Sequence, residues 1–137
     1  MLNNWFTKEV KRLSFEDIQY ILKHPSQYIL INTLSTNEQH CLIPYTLSYV
    51  EEENVINTMI KEYNFYNKTL IVYGKHCNDD TCKTKCDQLV RFGFSNVKMY
   101  PGGMFEWLCL QDIYGSDDFP TTTKELDLYK YRPSSQL

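Results

Sequence analysis

The segment from Thr69 to Trp107 constrains the fold more than any other part of the chain: TLIVYG, then KHCNDDTCKTKC, then DQLVRFGFSNVKMYPGGMFEW. Thr69–Tyr73 is a short apolar run of β-branched and aromatic residues, which marks a strand covered on both faces. Cys86, Leu89, Val90 and Phe92 recur at helical spacing, and Gly93 is placed to stop that helix. A second strand is expected over Asn96–Tyr100, closed by Pro101-Gly102-Gly103. A strand, a connection of this length holding a helix, and another strand make a right-handed crossover between parallel strands. The loop leaving the first strand, Gly74 to Cys82, then lies at the carboxyl edge of the sheet, where open α/β folds place their ligands. Any chemistry is to be sought there. The Gly102-Gly103 pair precedes an aromatic-rich helix and lacks the spacing of a nucleotide fingerprint, so it is a backbone turn and not a phosphate loop.

The flanks extend the same pattern. Glu9–Leu13 is expected to be a short edge strand. Ser14 to Asp17 has the form of a helix start, with Phe15, Ile18, Ile21 and Leu22 on the buried face and Pro25 as the stop. His24 before it suits a helix C-terminus. Tyr28–Asn32 reads as a central strand, Thr33 to His40 as a polar loop in which His40 and Cys41 are ordinary loop residues, and the stretch around Thr46 as a brief extended piece. Ser48 to Glu51 is a capping box opening a helix to about Tyr63, with Val55, Ile56, Met59, Ile60 and Tyr63 facing inward. Met104–Ile113 is a further helix, with Trp107 as a core anchor. The fold class is therefore α/β: one domain over residues 1–137, with a central parallel sheet flanked by helices. Its core spans about 10–110, and 114–137 is a C-terminal extension. That extension, with Leu126, Leu128, Tyr129 and Tyr131 as its anchors, is expected to lie over the surface or to be partly disordered beyond Arg132.

Composition narrows the function classes. A hydrophobic fraction of 42% with 23% charged residues describes a globular chain. No apolar run approaches the roughly 20 residues of a membrane span, and the first residues lack the apolar core of a signal peptide. The five cysteines are scattered, with three within ten residues. An odd, clustered set argues against a disulfide scaffold and for a reducing, cytoplasmic setting. A net charge of −3 gives no electrostatic reason for nucleic acid or an acidic membrane as partner. The eleven tyrosines come without the basic groove that base stacking needs, and are expected at helix–sheet seams.

Taken together, these residues resemble the rhodanese family. Val72-Tyr73 followed by a loop and helix, then Gly93-Phe94-Ser95-Asn96-Val97 and Gly102-Gly103-x-x-x-Trp107, look like the second half of a rhodanese domain. Tyr28-Ile-Leu-Ile-Asn32-Thr33 stands where that family has its strand ending in Asp-Val-Arg, and Cys41-Leu42-Ile43-Pro44 where it has Gly-His-Ile-Pro. The resemblance spans roughly Val10 to Leu110. It implies the fold, and sulfur transfer through a persulfide on a loop cysteine cradled by backbone N–H groups and a helix N-terminus. A small sulfur donor or a protein would be the partner, and no cofactor is called for. Asn32 and Leu34 stand in place of the family's Asp and Arg.

The loop itself pulls two ways. The family's cysteine position, directly after Val-Tyr, is Gly74 here. The nearest thiol is Cys77, sixteen residues before Gly93, close to the family spacing of cysteine to Gly-Phe. Cys77 is thus the candidate nucleophile, with Gly74, Lys75, His76, Asn78, Asp79, Asp80, Thr81, Cys82 and Lys83 as the substrate-binding loop. Lys83 also sits where a Cys-x5-Arg phosphatase loop has its arginine, and lysine lacks the planar fork that grips a phosphate. Against catalysis stand Asp79 and Asp80, at the turn feeding the helix. An aspartate there is a natural N-cap, and its carboxylate uses the N–H groups an anionic substrate requires. His76, Cys77, Cys82 and Cys86 do not have the spacing of a standard zinc knuckle. No metal is expected: Cys86 has a place in the core, Cys82 is incidental and His76 is solvated. Two readings follow: an active sulfurtransferase using a Cys77 persulfide, or a domain with a degenerate loop serving as a binding or regulatory module.

Overall fold

A computed structural model describes residues 9–137. Its centre is the two apolar runs recognised in the sequence. Strands β1 (Lys11–Arg12), β2 (Tyr28–Asn32), β3 (Thr46–Leu47), β4 (Thr69–Tyr73) and β5 (Val97–Tyr100) form one sheet in the order β1-β5-β4-β2-β3. Every pairing is parallel, and β2 and β4 align residue for residue from Tyr28 opposite Thr69 to Asn32 opposite Tyr73. Helices α1 (Phe15–Lys23), α2 (Tyr49–Lys61), α3 (Asp80–Phe92) and α4 (Gly103–Tyr114) supply the crossovers and cover the sheet.

Strand alternation divides the core into two halves. Ile71 and Tyr73 point to one face, packing with Ile18 and Ile21 of α1 and Met104, Trp107 and Leu108 of α4. Leu70 and Val72 point to the other, against Ile56 and Met59 of α2 and Cys82, Cys86 and Leu89 of α3. Both capping boxes form: Ser14 with Asp17 at α1, and Ser48 with Glu51 at α2. α3 ends at Gly93 as the sequence indicates.

Four expectations change. Tyr63 does not face inward: it adopts φ of 55° just past α2 and is 81% exposed, because the helix has ended two residues earlier. Cys41 is no ordinary loop residue, being fully buried with its thiol 3.4 Å from the Thr123 carbonyl. Cys82 is not incidental but part of the α3 core face. The C-terminal extension does more than cover the surface, since Phe119 and Tyr131 are buried in the core half that holds Trp107. Of its expected anchors, Leu126 and Tyr129 are exposed, and Tyr131, in a short 3-10 turn over Leu128–Tyr131, carries the burial.

Candidate functional site

The β4–α3 loop lies where a ligand site of an open parallel sheet belongs, at the carboxyl edge. Its floor is set by a close approach of backbone. Gly103 has φ of +66°, and a Cβ there would stand 2.7 Å from the Gly74 carbonyl oxygen and 3.0 Å from the carbonyl carbon of Lys75. With no side chain in the way, Met104 N–H donates to the Gly74 carbonyl (3.0 Å) and Phe105 N–H to that of Lys75 (2.9 Å). The first turn of α4 thereby spends its free N–H groups on holding the loop.

Two of the loop's own N–H groups, those of Lys75 and Thr81, converge on a carboxylate. Asp79 is the N-cap of α3, as its position suggested, and its Oδ1 accepts from Thr81 N–H at 3.0 Å and from the Thr81 hydroxyl at 2.5 Å. Its other oxygen, Oδ2, reaches back to accept the Lys75 N–H at 3.0 Å. Partial burial pushes this carboxyl up. The Thr81 hydroxyl, the Lys75 and Thr81 N–H groups and the nearby His76 ring outweigh that and hold it below the ordinary aspartate value. A Cβ placed on Gly74 would lie 2.5 Å from this Oδ2 and 2.7 Å from Thr33 Oγ1. The Asp79 carboxylate therefore fills the space that any side chain at residue 74 would enter.

The other loop residues are distributed around this centre. Lys75 turns away, its Nζ 2.9 Å from Oε2 of Glu38, which lies in the short 3-10 turn over Thr36–Glu38. His76 Nδ1 accepts the Asn78 N–H at 3.1 Å, and its carbonyl accepts that of Asp79 at 3.1 Å, closing a tight turn. Cys77 and Asn78 are the exposed tip, and Cys77 Sγ makes only a long 3.9 Å contact with Asn78 Oδ1. Asp80 is exposed in the first turn of α3. With its own hydrogen given to Asp79, Thr81 Oγ1 accepts from the Thr33 hydroxyl at 2.9 Å, tying α3 to the end of β2. Cys82 points down, its Sγ 3.4 Å from the Val72 carbonyl, and Cys86 together with burial pushes its thiol up. Lys83 is exposed and pairs along the helix with Asp87 at 3.3 Å. The structure thus gathers Gly74, Lys75, Asp79 and Thr81 at one point and leaves Cys77, Asp80, Cys82 and Lys83 outside it.

Thr33 and Glu38 join this centre without having been singled out in the sequence. Neither carries a local signal, since both reach the loop from the neighbouring strand's end. Asn32 is buried and fully used: its amide donates to Gln39 Oε1 (3.1 Å) and the Leu47 carbonyl (3.0 Å), and its oxygen accepts from Leu34 N–H (3.0 Å) and Gln39 Nε2 (2.8 Å). It shapes the loop after β2 with hydrogen bonds rather than charge. A crevice of about 390 Å³ opens beside Thr33 and Thr81, between the first turns of α2 and α3, where Lys85 meets Glu52 at 2.6 Å. Among the described residues no group of His, Cys, Asp and Glu has the arrangement of a metal site, and no helix is long and apolar enough to cross a membrane.

The electrostatics have a plain chemical meaning. The Lys75 and Thr81 N–H groups, which could stabilise an oxyanion or a persulfide, are engaged with a carboxylate of the chain itself.

No protein-family model and no curated protein matches the sequence. Solved structures do. The BH2092 protein from Bacillus halodurans superposes with a TM-score of 0.62 at 14% identity, covering 96% of each chain. The single-domain sulfurtransferase RDL2 from Saccharomyces cerevisiae gives 0.53 at 22% identity over 83% of this chain and 98% of its own. A thiosulfate sulfurtransferase from Pseudomonas aeruginosa gives 0.57 at 19% identity over 73% of this chain and 19% of that one. At these identities the likeness concerns the fold: this chain has the rhodanese-like architecture, a single α/β domain on a five-stranded parallel sheet, shared with known sulfurtransferases.

Proposed function

We propose that this protein is a rhodanese-like domain whose sulfur-transfer loop is degenerate, and that it acts as a binding or regulatory module for a protein partner. One observation carries the reading: the Asp79 carboxylate takes the N–H groups of Lys75 and Thr81 beside Gly74, where the resemblance would put a reactive cysteine. Sulfur transfer needs a thiolate that attacks the outer sulfur of the donor, forms an S–S bond and is then stabilised as a persulfide anion by nearby donors. Here those donors face a resident negative charge, which repels a second anion and competes for the same hydrogen bonds. Cys77, the nearest thiol, is exposed at the loop tip, where its Sγ makes a long 3.9 Å contact with Asn78 Oδ1. Five free cysteines, three of them buried, accord with a reducing cytoplasmic setting for such a module.

The test is a thiosulfate-to-cyanide assay on wild type and Cys77→Ser. The reading expects no turnover above the rate without protein, and no difference between the two. Turnover by wild type that disappears in Cys77→Ser establishes the opposite reading, in which Cys77 is the persulfide carrier.

A further inference from the structure

The crevice beside Thr33 and Thr81 lies where the chain turns two ways. From β2 it runs outward to β3, and from β4 it crosses through α3 to β5 on the opposite side. The two connections therefore part above the neighbouring ends of β2 and β4, and open α/β sheets take their ligands at such a point. The volume of about 390 Å³ is within the range of pockets that hold a side chain or a small ligand, about 300–1,000 Å³. Residues 32–34 line it at the sheet. From α2 come Tyr49 and Glu52, one turn apart. From α3 come Asp80, Thr84 and Gln88, whose four-residue spacing puts them on one stripe of that helix.

The charge of a guest follows from which groups are already engaged. Two helices begin here, and free N–H groups in their first turns would draw an anion. Those of Tyr49, Glu51 and Thr81 are taken instead by the chain's own acceptors: Gln39 Oε1 at 3.2 Å, Ser48 Oγ at 3.3 Å and Asp79 Oδ1 at 3.0 Å. Carboxylates dominate what remains. Glu51, Glu52 and Glu53 stand in succession near the start of α2, and Asp79 and Asp80 open α3. Lys85 is the cation lining the crevice, and it is committed to Glu52 Oε2 at 2.6 Å. Glu52 is buried, and that pairing leaves its Oε1 for a second donor. Asp80 is exposed, with no ion-pair partner among the described residues. Tyr49, half exposed on the crevice wall, adds an aromatic surface on which a flat cation can stack.

We propose that this crevice receives an arginine side chain of the protein partner, an inference that deepens the reading of the domain as a binding module and rests on it. A guanidinium joins a positive charge, five N–H donors and a planar face in one group. The lining answers each of these. Asp80 supplies the opposite charge, the Thr84 hydroxyl and the Gln88 amide oxygen supply neutral acceptors along α3, and Tyr49 supplies the stacking surface from α2. A lysine ammonium carries the charge without the plane and matches less of this lining. A phosphate or carboxylate guest meets Asp80 and finds the Tyr49, Glu51 and Thr81 N–H groups already engaged.

The experiment is an NMR titration of the full chain with acetyl-arginine methylamide. The matching probes are the acetyl methylamides of lysine, glutamate and phenylalanine, and inorganic phosphate. A dilution series without probe comes first; concentration-dependent shifts at the crevice would assign it to a second copy of the chain and overturn the proposal. The arginine probe is expected to shift the Thr33, Thr81, Thr84 and Gln88 amides to saturation while Lys98 and Met99 of β5 stay still. It is expected to bind roughly threefold more tightly than the lysine probe. Asp80→Asn should weaken it about fivefold and Tyr49→Ala about threefold, whereas Glu16→Gln, on α1, should leave it unchanged. The proposal is overturned if the crevice answers no probe, if it answers glutamate, phenylalanine or phosphate better than arginine, or if Asp80→Asn binds arginine as wild type does. The thiosulfate assay on the same samples separates the two levels. Turnover refutes the module and the partner with it, whereas a silent crevice without turnover refutes the choice of guest alone.

Discussion

Placing a methyl group on Gly74 tests the occupied loop directly. A Cβ there meets Asp79 Oδ2 at 2.5 Å and Thr33 Oγ1 at 2.7 Å, both ends of side chains that can swing away. Gly74→Ala therefore does not break the backbone but evicts the carboxylate from the Lys75 N–H. A hydrogen bond to a charged acceptor contributes about 1.5–3 kcal/mol, and partial exposure of the loop puts this one near the lower figure. Removing the carboxylate first, in Asp79→Ala, costs about 1–2 kcal/mol as a lost helix cap and leaves only the Thr33 hydroxyl to turn aside for the methyl group. In that background Gly74→Ala is expected to cost under about 0.5 kcal/mol, so the two substitutions couple by roughly 1 kcal/mol or more. Urea denaturation of wild type, both single variants and the double variant measures the coupling. Additive effects refute the reasoning, because they mean that Asp79 does not fill the space beside residue 74.

Further outcomes follow from the same geometry. Burial pushes the Glu38 carboxyl up, but the Lys75 ammonium and the Ser35 hydroxyl and N–H hold it below the ordinary value. A lowered folded-state carboxyl stabilises above the ordinary glutamate range and loses that contribution as pH falls through its folded value. Thermal scans should show wild type losing stability below about pH 5, with a shallower fall in Glu38→Gln. Tyr73 is buried, accepts the Ile43 N–H at 3.1 Å and shares a 2.9 Å bond with Thr46 Oγ1. Tyr73→Phe strands a buried N–H and should cost about 1–3 kcal/mol in urea titrations. Iodoacetamide on the native protein, read by peptide mass mapping, should label Cys77 first and Cys109 more slowly, sparing Cys41, Cys82 and Cys86.

Where a feature depends on local pattern, the sequence disclosed it. Tyr28–Asn32 and Thr69–Tyr73 are the strands their apolar runs announce, because burial on both faces leaves them few alternatives. Ser14, Ser48 and Asp79 cap helices from chemistry contained within three residues. Asp79 also shows where local reading stops. Its role as a cap was legible, but the reach of its second oxygen to Lys75 depends on the empty space over Gly74, a fact of three dimensions. The Lys75–Glu38 pair and the burial of Cys41 likewise depend on neighbours brought by the sheet order and by the C-terminal extension. Tyr63 was drawn inward by helical spacing, which carries no information about the positive φ that ends the helix before it. Tyr131 could be seen as an anchor, but its complete burial depends on the groups that the fold packs around it.

The most direct measurement is the intact mass of the protein after incubation with thiosulfate and removal of excess donor under non-reducing conditions. A carrier cysteine would retain one sulfur atom as a persulfide, with sulfite released. With the Lys75 and Thr81 N–H groups committed to Asp79 and Cys77 exposed at the tip, the account predicts unmodified wild-type protein. A stoichiometric gain of one sulfur atom, mapped to Cys77 and transferable to cyanide, would contradict it.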